Sequence, residues 1–215
     1  MSLISASVAG ADQAALGQAV AVLSRHVDVI HIDLEDGVFS PNLTLGPAVV
    51  RDLRPHSRLP FEVHLMVQRP EDHISAVAAA GADSIVVNIE ACPYPLRIVR
   101  LIRSLGKRAG LGYNWGTPLS SLLDLRDELD LVLLLTSEPD LEGQRQIAAA
   151  PRRVAEAARA IAGTSVTLIA DGGLNDLNIG PLRQAGAHEF VVGRYLWRDG
   201  DVAANVRRLR AALEG

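Results

Sequence analysis

Residues 29–34 read VIHIDL, and this stretch decides how the chain folds. His31 and Asp33 are two residues apart, so both side chains lie on the same face of a β-strand. Ile30, Ile32 and Leu34 form the opposite face, which suits packing against helices. The alternation predicts a buried strand with an apolar outer face and with polar groups on its inner face near its end.

Short apolar runs of this kind recur along the chain, and helical patterns lie between them. Eight runs predict strands, at residues 3–7, 27–34, 61–66, 84–87, 108–113, 131–135, 166–170 and 190–192. The last helical pattern is the clearest, because Val202, Val206, Leu209 and Leu213 recur at helical spacing. Eight strand–helix alternations in 215 residues predict a single (β/α)8 barrel, or TIM barrel, spanning residues 1–215.

An open, doubly wound sheet is the competing fold. Such a sheet usually has a glycine-rich turn after its first strand, where a phosphate group binds. The corresponding turn here, residues 7–10, reads SVAG and contains one glycine. The barrel is therefore the favoured architecture.

Composition excludes several classes of protein. The net charge of −4 and the pI near 5.9 leave no basic footprint for nucleic acid or an anionic membrane. Cys92 is the single cysteine, which rules out a disulfide framework and is typical of a reducing, cytoplasmic location. Residues 1–9 lack the pattern of a signal peptide, and no stretch is typical of a membrane-spanning helix. We expect a cytoplasmic protein that binds neither nucleic acid nor membranes.

Polar residues fall at the ends of several predicted strands. His31 and Asp33 are joined by His64, by Asp171 directly after the seventh apolar run, and by Ser7 at the end of the first. Active sites of these barrels lie at the carboxyl ends of the strands. Each residue alone would be read as a buried polar group or a helix cap. Two imidazoles and two carboxylates together predict a site for Zn²⁺, Mn²⁺, Fe²⁺ or Co²⁺.

Several motifs resemble those of one enzyme family. Residues 31–42, HIDLEDGVFSPN, resemble the H-x-D-x-M-D-G-x-F-x-P-N signature of ribulose-phosphate 3-epimerases. Residues 64–67 match its HLMV, residues 114–118 (NWGTP) resemble its NPGTP, and residues 171–173 resemble the end of its VDGG. The motifs occur in the same order over nearly the whole chain, so the resemblance implies a barrel of the ribulose-phosphate-binding type.

The resemblance also implies a reaction and a site. One divalent metal ion per chain, zinc first and manganese, iron or cobalt as alternatives, would be held by His31, Asp33, His64 and Asp171. Asp33 and Asp171 would be the acid–base pair that inverts C3 of a ketose phosphate such as ribulose 5-phosphate or xylulose 5-phosphate, through an enediolate stabilised by the metal. A homo-oligomer is also expected. The implied substrate contacts are Ser7, Met66, Gly143, Gly172, Gly173 and Gly193.

The expected phosphate site departs from the family pattern. Residues 138–144 read EPDLEGQ where the family has NPGFGGQ, so Asp140 and Glu142 replace glycines. Carboxylates repel a phosphate dianion, and residues other than glycine hinder a close backbone approach. Arg194 stands after Gly193 in place of serine or threonine and could bind an anion with its forked guanidinium. The alternative is that Arg194 pairs with Glu142 or Asp140.

Other departures concern the reacting end of the site. Glu35 replaces the methionine of the signature, and it is predicted either to bind a substrate hydroxyl or to be a solvated loop charge. Asn88 and Val38 stand where the family has histidines. These replacements leave the proposed proton-transfer residues intact.

Three functions are compatible with this pattern. The first is a metal-dependent 3-epimerase of a pentulose 5-phosphate, and the second is the same chemistry on a different or non-phosphorylated ketose. The third is a catalytically silent binding barrel, which the complete set of four polar residues disfavours. A decarboxylase or aldolase would want a lysine at a strand end, whereas Lys107, the only lysine, precedes the fifth strand.

Overall fold

The strands of the protein close into one barrel. The computed structural model describes residues 2–138 and 145–215. Each strand pairs in parallel with the next along the chain, and β8 pairs with β1. The strands are β1 (Leu3–Ser7), β2 (Val29–Glu35), β3 (Phe61–Met66), β4 (Ser84–Asn88), β5 (Arg108–Tyr113), β6 (Leu131–Leu135), β7 (Thr167–Asp171) and β8 (Glu189–Val192). The predicted barrel is confirmed, and the open sheet is wrong.

Helices connect the strands on the outside of the barrel. They are α1 (Leu16–Leu23), α2 (Pro47–Leu53), α3 (Glu71–Ala80), α4 (Pro95–Ser104), α5 (Leu122–Leu125), α6 (Ala150–Ala160), α7 (Ile179–Gln184) and α8 (Val202–Glu214). The apolar stripe predicted for the last helix lies in α8, where all four of its residues are buried. Within the described ranges, none of the helices has the length and apolar character needed to cross a membrane.

Strand boundaries differ from the prediction at positions that matter for the site. β2 begins at Val29 instead of residue 27 and continues to Glu35, which pairs with Met66 of β3. β7 contains Asp171 as its last residue, whereas the apolar run ended at residue 170. Asp171 belongs to the strand because it continues the ladder, opposite Leu135 of β6. A charged residue ends an apolar pattern without ending a ladder of backbone hydrogen bonds.

The core consists of two layers separated by the strands. Ile30, Ile32 and Leu34 are buried in the large outer layer between strands and helices, as predicted. A smaller apolar cluster comprises Val86, Leu131, Leu133, Leu135, Ile169 and Val191. These residues alternate with the outward-facing ones, so this cluster fills one side of the barrel interior. The polar residues of β2 and β3 occupy the other side.

Candidate metal centre

Four polar side chains meet inside the carboxyl end of the barrel. His31 and Asp33 come from β2, His64 from β3 and Asp171 from β7. One nitrogen or oxygen atom of each lies within 4.8 Å of one such atom of every other. Asp33 and His64 are direct partners in the β2–β3 ladder, which explains their proximity. The structure therefore brings together the four residues predicted as metal ligands.

Asp33 lies nearest to both imidazoles. Its Oδ1 atom is 3.0 Å from His31 Nε2 and 3.4 Å from His64 Nδ1. Oδ2 of Asp171 is 4.0 Å and 3.8 Å from the same two nitrogen atoms. Ser7, predicted to contact substrate, also donates a hydrogen bond of 2.8 Å to Oδ2 of Asp33. The serine thus orients the carboxylate from the end of β1.

Each histidine is held from behind by a second polar side chain. Glu62 Oε1 lies 3.0 Å from His31 Nδ1, and Asn88 Oδ1 lies 2.9 Å from His64 Nε2. Since the carboxylate and the amide oxygen accept these hydrogen bonds, His31 presents Nε2 to the cluster and His64 presents Nδ1. Such partners fix the ring orientation and tautomer of metal-binding histidines.

Sequence reasoning missed both of these supporting residues. Glu62 precedes His64 by two residues in β3 and so shares its inner face, a signal that was present in the alternation. Asn88 was noted only as a departure from the family pattern. Its role depends on the β3–β4 pairing, which a pattern read along one strand does not reveal.

The cluster has strongly perturbed protonation. Burial raises the pKa of Asp171 to about 7, and the negative charge of Asp33 adds to this shift. Burial alone would also raise the pKa of Asp33, but the charges of His31 and His64 hold it well below its usual value. Burial would lower the pKa of His31, yet Asp33 and Glu62 raise it well above its usual value. The surroundings of the imidazoles are therefore strongly negative.

These residues fit a divalent cation. Nδ1 of His64 is buried and, among the described residues, has no hydrogen-bond partner, although it points toward the carboxylates. A histidine can bind a metal ion through a ring nitrogen that has no hydrogen-bond partner, and the two carboxylates beside it supply further ligand atoms. Two nitrogen and two oxygen donors suit Zn²⁺, Mn²⁺, Fe²⁺ or Co²⁺. The cluster could therefore hold one such ion.

A cavity that opens to solvent lies over the cluster. Asp33 and Asp171 are among the residues that line it. Its wall contains predicted substrate contacts from several loops and strand ends, namely Ser7, Glu35, Met66, Gly172, Gly173, Gly193 and Arg194. Gly143, with Asp140 and Glu142, lies outside the described residues. The pairing of Arg194 with either acid likewise falls outside them.

The side of the cavity next to β6, β7 and β8 is built from closely approaching backbone. A Cβ atom on Gly172, which has a φ of 113°, would lie 2.4 Å from Oγ of Ser137. A Cβ atom on Gly10 would lie 2.6 Å from the backbone nitrogen of Arg194. Glycine is therefore required at both positions for steric reasons. Barrels frequently bind phosphate at the loops after strands seven and eight.

Glu35 occupies the opposite side of the cavity. It is the last residue of β2, with 6% of its surface exposed, and its carboxylate accepts hydrogen bonds from Ser40 and Asn42. The interpretation of Glu35 as a solvated loop charge is therefore wrong. Its neighbour across the ladder, Met66, also lines the cavity.

Cys92 is not a candidate nucleophile. The side chain is buried, and burial raises the pKa of its thiol to about 12. The reactive form of cysteine is the thiolate, which this environment disfavours at neutral pH.

The fold and the site together define a class: a (β/α)8 barrel whose mouth carries paired imidazoles and carboxylates. The sequence matches the Ribulose-phosphate 3 epimerase family over residues 3–197. It is 37% identical to the ribulose-phosphate 3-epimerase of Bacillus subtilis (strain 168) over 97% of this chain and 98% of the relative. It is 36% identical to the chloroplastic ribulose-5-phosphate-3-epimerase of Arabidopsis thaliana over 98% of this chain and 76% of the relative.

The chain belongs to the ribulose-phosphate 3-epimerase family. It is therefore an epimerase of the isomerase class, and the silent binding barrel is set aside. Solved structures support the fold alone. Orotidine 5'-phosphate decarboxylase from Pyrococcus horikoshii superposes with a TM-score of 0.70 at 14% identity, covering 99% of this chain and 100% of that one. A tryptophan synthase alpha-subunit from Pyrococcus furiosus gives 0.72 at 17% identity, with 98% of each chain covered.

Proposed function

We propose that this protein interconverts the C3 epimers of a ketose 5-phosphate, with ribulose 5-phosphate and xylulose 5-phosphate as the pair. The observation that carries the proposal is the convergence of Asp33 and Asp171 on one cavity from strands that are not neighbours. Two carboxyl groups on different walls can reach opposite faces of a planar intermediate. Family membership supplies the reaction class.

The proton transfers follow from these two side chains. One carboxylate removes the proton from C3, and the electron pair of that C–H bond moves into the enediolate. The other, protonated aspartate delivers a proton to C3 from the opposite face, which inverts the centre. Each positioned acid or base contributes about 10²–10⁴-fold to the rate. Ser7 keeps Asp33 oriented through its hydrogen bond.

We propose His31, Asp33, His64 and Asp171 as ligands of one divalent ion, zinc by preference and manganese, iron or cobalt as alternatives. When bound, such an ion supplies Lewis-acid stabilisation of the negative charge that develops on substrate oxygens. Glu62 and Asn88 hold the two imidazoles toward it.

The substrate contacts are proposed from the cavity wall. Gly172, Gly173, Gly193 and Arg194 would bind the phosphate, together with Gly143 of the loop after β6. Met66 would shield the intermediate from water. The acids Asp140 and Glu142 in that loop keep a non-phosphorylated ketose as the second candidate substrate. The cytoplasmic location and the homo-oligomer stay predictions.

One experiment tests the reaction directly. The purified protein, stripped with a chelator and reconstituted separately with Zn²⁺, Mn²⁺ or Co²⁺, is given ribulose 5-phosphate or free ribulose in D₂O. Proton NMR should show the C3 epimer forming with solvent deuterium at C3. Product without deuterium at C3 would exclude the proton-abstraction mechanism. No conversion of either ketose with any ion would overturn the proposed function.

A further inference from the structure

Glu35 is a third inward-facing polar residue on β2. It follows His31 and Asp33 at intervals of two, which places its side chain on the inner face above them. It lines the same cavity as Asp33 and Asp171. The side chain is thus beside the reacting centre without belonging to the group of four proposed metal ligands.

The carboxylate of Glu35 is fixed through one of its oxygen atoms. Oε1 accepts a hydrogen bond of 2.6 Å from Oγ of Ser40 and one of 3.2 Å from Nδ2 of Asn42. The backbone is held as well, because Glu35 N donates to Oγ1 of Thr44 at 3.0 Å and Thr44 N donates to the carbonyl of Glu35 at 3.1 Å. A group held this firmly is pre-organised for a ligand.

The second oxygen atom remains available to the cavity. Among residues 2–138 and 145–215, no group donates a hydrogen bond to Oε2 of Glu35. Since Glu35 lines the cavity, this oxygen can accept a hydrogen bond from water or from a ligand there. A carboxylate repels the phosphate of the substrate, whereas a sugar hydroxyl can donate to it. Glu35 therefore favours a hydroxyl group at this side of the cavity.

The positions of the charged residues around the cavity indicate which hydroxyl of the substrate Glu35 contacts. Arg194 and the close-packed glycines lie at the β7–β8 side, next to Asp171 at the end of β7. Glu35 lies at the β2–β3 side, on the same strand as Asp33. A ketose 5-phosphate with C3 at the aspartates and its phosphate at Arg194 directs C1 toward Glu35. We propose that Glu35 accepts a hydrogen bond from the C1 hydroxyl and makes the enzyme specific for ketoses that carry it. This inference rests on the proposed function.

A matched pair of substrates tests this contact. D-xylulose 5-phosphate has the C1 hydroxyl, and 1-deoxy-D-xylulose 5-phosphate has a methyl group in its place. Exchange of the C3 proton in D₂O, followed by NMR, gives kcat/KM for both with one readout. The wild type should favour the hydroxylated substrate by about 10- to 100-fold, as expected for a hydrogen bond to a charged group.

Two variants separate the hydrogen bond from damage to the loop. Glu35→Met removes the acceptor, and the preference should fall to near one because the hydroxylated substrate alone loses rate. Glu35→Gln keeps an oxygen for Ser40 and Asn42 and a polar group for the substrate, so it should retain an intermediate preference. A loop made mobile by substitution would slow both substrates equally and leave the preference unchanged.

The outcomes distinguish this contact from the reaction itself. Exchange with both substrates, at a ratio that is the same in the wild type and in Glu35→Met, would overturn the C1 contact while leaving the epimerase intact. Equal kcat/KM values for the two substrates in the wild type would also overturn the C1 contact. Absence of exchange with both substrates in the metal-reconstituted wild type would overturn the proposed function, and the C1 contact with it.

Discussion

The inner faces of β2 and β6 have the same backbone geometry and opposite chemistry. The inner face of β2 carries His31, Asp33 and Glu35, whereas that of β6 carries Leu131, Leu133 and Leu135. All six side chains are largely buried. Burying the leucines stabilises the fold at roughly 25 cal/mol per Å² of apolar surface. Burying the polar groups is unfavourable unless each is paired, so the two sides of the barrel serve different purposes.

The polar side is tolerated because its members satisfy one another. Glu62 pairs with His31, Asn88 with His64, and Ser7 with Asp33. Among the described residues of this inner face, Oγ of Ser5, Nδ1 of His64 and Oε1 of Glu189 have no hydrogen-bond partner. The His64 nitrogen points into the metal centre, whereas Ser5 and Glu189 lie on β1 and β8. The apolar side therefore stabilises the fold, while the polar side provides the reacting groups at a cost in stability.

Four substitutions test this division between the two sides, in order of their expected effect on catalysis.

Asp171→Asn should have the largest effect on activity. The amide has the same shape but cannot take up or deliver the proton, so kcat should fall by about 10²–10⁴-fold. Exchange of the C3 proton in D₂O measures the loss, and thermal unfolding checks that the fold persists. Asp127→Asn, at a carboxylate that is 82% exposed, is the control and should leave both values unchanged. Retention of wild-type kcat by Asp171→Asn would exclude it from proton transfer.

Glu62→Gln should weaken metal binding rather than abolish the chemistry. Loss of the carboxylate behind a metal-binding histidine typically costs about 10–100-fold in affinity. Competition with a chromophoric chelator gives the dissociation constant for Zn²⁺. Glu189→Gln removes another buried carboxylate that has no bond to an imidazole, and it should change the affinity less. If the two variants weaken binding equally, Glu62 acts only through its charge and does not position His31.

Leu133→Ala tests the apolar side. Leu133 is fully buried in the inner cluster, so truncation should lower the free energy of unfolding by about 2–5 kcal/mol. The kcat of the folded variant should stay close to the wild-type value, because β6 contributes no acid or base. Denaturant unfolding and steady-state kinetics measure the two effects. Leu123→Ala, at a side chain 57% exposed, is the matched control. A large loss of kcat at normal stability would contradict the division between the two sides.

Glu189→Gln should affect stability in a pH-dependent way and catalysis least. Burial, with the negative charge of Glu62, raises the pKa of Glu189 from its ordinary value of 4.5 to about 8. Between these values the folded protein holds a proton that the unfolded chain has released, so this group lowers stability as pH rises through the window. The Tm of Glu189→Gln relative to wild type should therefore increase from pH 5 to about 8 and then level off. A Tm difference that is constant across this range would show that Glu189 titrates normally.

Features set by neighbouring residues in the sequence were predicted correctly, whereas features set by contacts between strands were missed. The bounds of β1, β3, β5 and β6 agree with the predicted ones, because short apolar runs covered on both faces are a local signal. The end of β7 was missed at Asp171, where membership in the strand depends on the ladder with β6. Glu62 lies on the predicted inner face of β3, but its partner, His31, is on β2. The contact between them therefore depends on the pairing of the two strands.

What the sequence by itself determined is the barrel, the face on which each strand carries its polar groups, and the family. These properties follow from periodicity and motifs, which are written along the chain. Only the tertiary structure decided which nitrogen of His31 and His64 faces the centre. It also decided that Ser40 and Asn42 donate hydrogen bonds to one oxygen of Glu35. Those facts depend on contacts between strands and loops, because a hydrogen bond has a distance and a direction that spacing in sequence does not specify.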